Sequence, residues 1–185
     1  EMLRSLVGSE MCIRDRLTYS ILNISQIYSP KRSQMNHYDY MSLAMQEAKK
    51  ALISREIPIG AIIVLHDSVI AAAHNQCENR SDPTAHAEIL AIKKASAILG
   101  NWRLTGCSLY VTIEPCPMCA GAAVNAHLSS IIYGAPNPRY GGIDSKFRIV
   151  QNPFNHAVSV IRGVCQSECQ QLMDEFFDDK RHLSM

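Results

Sequence analysis

Two short stretches, far apart in the chain, carry side chains that make sense only if they meet: His86-Ala87-Glu88 and Pro115-Cys116-Pro117-Met118-Cys119. Together they offer one imidazole, two thiols and one carboxylate. Zn²⁺ takes nitrogen and sulfur donors, and a catalytic zinc keeps three protein ligands with water in the fourth position. Cys116 and Cys119 are spaced so that both can face one ion from the first turn of a helix. His86 is the third candidate ligand. Glu88 is not needed as a ligand and is left to handle protons. Zinc lowers the pKa of its water towards about 7, and a carboxylate alongside can take that proton and pass it to a leaving group. A fold that uses these residues must bring two helix starts to one point.

Other readings of the same residues exist. A C-x-x-C can be a redox pair or half of a structural zinc site. A structural site needs a fourth protein ligand, for which Cys107 or His127 is available. A redox pair leaves the His-x-Glu unexplained.

The chain has 185 residues, which suits one domain with a full core. Its seven cysteines are an odd number, and two are claimed by the metal motif. That favours a reducing, cytoplasmic setting over a disulfide framework. No apolar run approaches the roughly 18 residues of a membrane helix, so no membrane partner is expected. The formal charge is +1, which excludes a broad basic face. Any nucleic-acid contact must come from a local patch.

Residues 1–34 differ from the rest. They lack a helical period, and Gly8 to Arg16 resembles translated sequencing-adaptor read-through. The expectation is a non-native or disordered extension over 1–34, a start at Met35, and a single catalytic domain over 35–185.

From there the periodicity predicts a helix over Tyr38 to Arg55, with Met41, Ala44, Met45, Ala48 and Leu52 on one face. Strands follow at Ala61 to Leu65 and Val69 to His74, joined by a turn at Asp67-Ser68. The polar loop Asn75 to Pro83 offers Asn75 either as a turn former or as a reader of a base edge. Helices are predicted over Thr84 to Leu99, Met118 to His127 and Glu168 to His182, and strands at 109–112, 131–134 and 158–161. The loop Pro136 to Asn152 carries Arg139, Lys146 and Arg148, suited to a phosphate backbone or simply solvated. Phe177 lies off the apolar stripe of the last helix, where it could stack on a nucleobase or cover the helix edge. Strands separated by helices predict an α/β protein, with a mixed five-stranded sheet covered on both faces.

The pattern His-x-Glu followed by Pro-Cys-x-x-Cys is the known signature of zinc deaminases. From Met35 onward the chain resembles the bacterial tRNA-specific adenosine deaminases of the cytidine-deaminase-like superfamily. The resemblance rests on Arg55-Glu56-Ile57-Pro58-Ile59-Gly60-Ala61, on 82–89, which reads Asp-Pro-Thr-Ala-His-Ala-Glu-Ile, and on 109–122, from Leu109 to Ala122. It implies a three-layer α/β/α fold and one Zn²⁺ per subunit, held by His86, Cys116 and Cys119, with Glu88 as proton shuttle. It also implies that Asn75 and the backbone at Ala87 hold the base. The implied reaction converts adenosine to inosine at the wobble position of a tRNA anticodon stem-loop, in a homodimer whose subunits both line the RNA site. Guanine, cytosine and (deoxy)cytidylate deaminases share the ligand set and are the alternative. The chain departs from the family pattern at Asn137, usually Asp and near the RNA backbone, and at Asp144-Ser145, usually Gly-Ser.

Overall fold

The structure is a computed structural model and describes residues 35–151 and 156–183. The expectations for residues 1–34 fall outside the described residues.

The first helix, α1 (His37–Ile53), starts with a reciprocal cap. The Asn36 side chain accepts from the N–H groups of Tyr38 and Asp39, and the Asp39 carboxylate accepts from the Asn36 N–H. Its buried face carries Tyr40, Met41, Ala44, Ala48 and Ala51. A hairpin follows, β1 (Gly60–Leu65) and β2 (Ser68–His74). The tight turn falls one residue earlier than its sequence suggests. His66 and Asp67 both have left-handed backbone (φ 47° and 58°), the geometry that matches the twist of a two-residue hairpin.

After a one-turn helix α2 (Cys77–Arg80) come α3 (Ala87–Leu99), β3 (Ser108–Ile113), α4 (Pro117–Asn125) and β4 (Ser130–Ala135). A 3-10 turn (Ile149–Gln151), β5 (Ser159–Ile161) and α5 (Gln166–Leu183) complete the order. Both short turns interrupt stretches that read as plain loop. Helix α3 begins at Ala87 and not at Thr84, because Asp82 organises the preceding turn. Its side chain accepts from the Thr84 N–H and its carbonyl from the Ala85 N–H. Helix α4 ends before His127, whose φ of 56° leaves the right-handed region.

The five strands form one mixed sheet in the order β2-β1-β3-β4-β5. β1 is antiparallel to β2 and β3, while β3, β4 and β5 run parallel. Side chains alternate between two cores. Ala61, Ile63, Leu109, Val111 and Ile131 face the layer of α3 and α4. Ile62, Val64, Tyr110 and Ile132 face the layer that contains α1 and α5. Burial on both faces is why the strands read as continuous apolar runs. The architecture is thus the expected three-layer α/β/α sandwich.

Gly60, at the start of β1, sets how closely α1 lies on the sheet. A Cβ there would fall on the Ala44 carbonyl oxygen and the Ala48 nitrogen. Only glycine lets the helix backbone come this near.

Candidate active site

Helices α3 and α4 start side by side. His86 is the N-cap of α3 and Cys116 the N-cap of α4, both with extended backbone (φ −68° and −69°). Neither side chain makes a capping bond to its own helix. Both are therefore free to project forward. Pro117 fixes the first turn of α4, and Cys119 comes up one turn further on. His86 Nδ1 lies 3.7 Å from Cys116 Sγ and 3.5 Å from Cys119 Sγ. The three ligand atoms fall within 4.8 Å of one another, close enough to share a metal ion. Cys107 and His127 are elsewhere. Cys107 is buried in the core under α3 and α4, and the His127 ring stacks on His156. The structural-zinc alternative therefore lacks its fourth ligand among the described residues.

The protein alone favours a thiolate at Cys116 and a thiol at Cys119, whose pKa the Cys116 contact and burial raise. A hydrogen bond from the Cys119 thiol, reinforced by His86, pulls the Cys116 pKa down to about 4. The same Cys116 interaction raises the His86 pKa. Two helix N-termini add positive potential at the sulfurs. Glu88 is the second residue of α3 and is 3% exposed. Burial raises its pKa, with the Cys116 charge adding to the effect. Its Oε2 is buried and has no hydrogen-bond partner in the protein. A buried, unpaired carboxyl oxygen costs free energy. One that sits beside a metal-competent trio has an evident use.

Two further glutamates, which the sequence does not single out, build the walls. Glu56 is 1% exposed and accepts from Asn75 Nδ2 and from the Asn79 N–H, each at 2.9 Å. The Asn75 side chain also receives the Cys77 thiol at 3.5 Å. Its amide is thereby oriented, with one N–H and part of its oxygen left for a ligand. The Gln76 N–H bonds to the Ala85 carbonyl and so closes this loop against the start of α3. Glu114, 1% exposed, does the same on the other side. It accepts from the N–H groups of Asn137, Ile143, Asp144 and Ser145 and from the Ser145 hydroxyl. A Cβ at Gly141 would occupy the space of the Glu114 carboxylate. The Gly142 N–H bonds to the Pro115 carbonyl at 2.7 Å, which ties the loop to the residue before Cys116.

The remaining candidates take varied positions. Ala87 is fully buried at the first position of α3. Asn137 turns its side chain onto the loop itself, accepting from the Tyr140 N–H at 3.1 Å. Phe177 is 43% exposed on α5, edge-on to the buried Phe176. Arg139, Lys146 and Arg148 are exposed on the loop that Glu114 anchors.

Such a cradle with an adjoining buried acid, just beyond the C-terminal end of β3, the central strand of a mixed sheet, defines a deaminase. The chain belongs to the MafB19-like deaminase family, whose model matches residues 35–181. Within that family it falls among the tRNA-specific adenosine deaminases. The protein of that name from Bacillus subtilis (strain 168) is 44% identical over 143 residues, which cover 77% of this chain and 89% of the relative. A solved structure from work on A-to-I editing by tRNA:A34 deaminases superposes with a TM-score of 0.70. It is 42% identical, over 72% of this chain and 97% of that one. A guanine deaminase structure from Bacillus subtilis is similar at 34% identity and a TM-score of 0.54, over 66% of this chain and 82% of that chain. Among the described residues no helix is long and apolar enough to cross a membrane.

Proposed function

We propose that this protein hydrolyses adenosine to inosine at the wobble position, 34, of a tRNA anticodon, with one Zn²⁺ in the cradle of His86, Cys116 and Cys119. The observation that carries this reading is the buried, unpartnered oxygen of Glu88 beside the three donors. One imidazole and two sulfurs are the donor set zinc favours, with room for a fourth ligand.

Zinc bound there supplies a Lewis acid that makes water acidic enough to react at neutral pH. Glu88 takes a proton from the attacking water and delivers it to N1 of adenine while C6 becomes tetrahedral. It then takes the remaining hydroxyl proton and passes it to the departing amine, so ammonia leaves and the inosine carbonyl forms. Asn75, oriented by Glu56, holds the purine edge. Ala87 offers the main-chain N–H of a first helical position, which has no partner inside the helix. Asn137 and Phe177 contact the flanking RNA. The bases of an anticodon loop are already unpaired, so turning one into the pocket costs less than from a duplex. The free thiols fit a cytoplasmic enzyme, and a homodimer would line the RNA with both subunits.

The similarity to a guanine deaminase favours a second reading, a free-base or nucleotide deaminase with the same cradle. Incubation with an anticodon stem-loop, and separately with guanine, cytosine and deoxycytidylate, decides between them. Inosine after nuclease digestion supports the tRNA reading. Xanthine or uracil products with no inosine overturn it.

A further inference from the structure

The loop after β4 is held by more than Glu114. Asp144 and Arg162, the residue after β5, form a two-pronged ion pair. Arg162 Nε donates to Asp144 Oδ2 at 2.6 Å and Nη2 to Oδ1 at 2.8 Å. The Tyr133 hydroxyl, on β4, donates to Asp144 Oδ2 at 2.9 Å. One carboxylate thereby ties the loop to two neighbouring parallel strands.

The same loop displays two exposed aromatics, Tyr140 (66%) and Phe147 (51%), beside the cations Arg139 and Lys146. Aromatic rings next to cations are how single-stranded nucleic acid is gripped without regard to sequence. A stacking surface works only if its backbone is fixed beforehand, because ordering it on binding reduces affinity. Isolated surface ion pairs contribute little, but forked Arg–carboxylate pairs with fixed geometry are the exception. The Asp144 N–H also bonds Glu114 Oε1, so Asp144 is held through both its main chain and its side chain.

We propose that Asp144 and Arg162 are positioning residues for the RNA, holding the 136–148 loop so that Tyr140 and Arg139 meet the nucleotides beside the target base. This rests on the tRNA reading above.

The test is a double-mutant cycle on the zinc-loaded full chain, with Asp144→Ala, Arg162→Ala, both together, and Arg162→Lys. Activity on an anticodon stem-loop is measured where circular dichroism shows every variant folded. Each single variant should raise KM roughly fivefold or more with kcat within about twofold. The double variant should be no worse than either single one, and Arg162→Lys intermediate. Amide exchange at Asp144 and Ser145 should quicken in Arg162→Ala. Unchanged KM in both single variants, an additive double variant, or unaltered exchange overturns the proposal. If the wild-type chain makes no inosine from the stem-loop, the tRNA reading falls instead, and exchange still decides whether the clamp holds the loop.

Discussion

Glu56 Oε2 accepts a hydrogen bond from Asn75 Nδ2 at 2.9 Å, and both residues are almost wholly buried. The carboxylate therefore decides which way the amide points. Asn75→Asp would set a second carboxylate against Glu56, and Glu56→Ala would leave the amide unoriented. Each variant is expected to lower kcat/KM on an anticodon stem-loop by roughly tenfold to a hundredfold, the cost of a misplaced buried polar group. An unchanged kcat/KM would remove Asn75 from the base-binding role.

Glu88→Gln keeps the shape of the side chain and removes its proton-carrying capacity. Single-turnover inosine formation should fall roughly a thousandfold, within the range for loss of a general acid–base. Metal content, read by atomic absorption, should stay that of the wild type. Near-normal turnover would assign the proton transfers to another group.

Cys116→Ala deletes the sulfur held as a thiolate, and the prediction is loss of bound zinc and of activity together. A ligand that binds only the folded chain stabilises it by mass action. Chelation of the wild type should therefore lower the melting temperature, and re-addition of zinc should restore it. Full zinc stoichiometry in Cys116→Ala would exclude this sulfur as a ligand.

The loop after β4 should loosen in acid. Burial alone would raise the Glu114 pKa, but the Ser145 hydroxyl and the N–H groups of Asn137, Asp144 and Ser145 outweigh it and bring it below the usual value. The Arg162 fork lowers Asp144 likewise. A carboxylate with a depressed folded pKa contributes stability above its unfolded pKa, about 4. That contribution is lost as pH falls through the lower folded value. Amide exchange at 137–145, compared between pH 6 and pH 3 after correction for intrinsic rates, should show lost protection. Glu114→Gln should show the loss already at pH 6 and cost about 2 kcal/mol of stability. Protection in Glu114→Gln equal to that of the wild type at pH 6 would mean that Glu114 does not hold the loop.

The cradle was legible in the sequence because its ligands lie in two tight local patterns, and spacing alone confines Cys116 and Cys119 to one helical turn. The strands were legible for a similar reason, since burial on both faces leaves unbroken apolar runs such as 61–65 and 131–133. Glu56 and Glu114 were not. Each is an ordinary acid in one dimension, and its role exists only because distant main-chain donors converge on it. A faint signal was present. Glu114 stands between Ile113 and Pro115, and Glu56 just before Ile57-Pro58-Ile59, which are poor places for a solvated charge. The Asp144–Arg162 fork joins residues 18 apart in sequence and depends on parallel pairing of β4 with β5, which no local pattern announces. The start of α3 differs from the sequence reading because Thr84 suits a helix N-cap and Ala85 a helix interior, while Asp82 claims their N–H groups first.

Four of the five donors that meet Glu114 are peptide groups, supplied by Asn137, Ile143, Asp144 and Ser145. An anchor of that kind grips contour and ignores spelling. A segment grafted between Ala135 and Arg148 must therefore keep glycine at 141 and 142, where a Cβ would strike the Glu114 carboxylate and the Cys116–Pro117 backbone, and aspartate at 144 to meet Arg162. Variation confined to the exposed positions 139, 140, 146 and 147 leaves those ties in place.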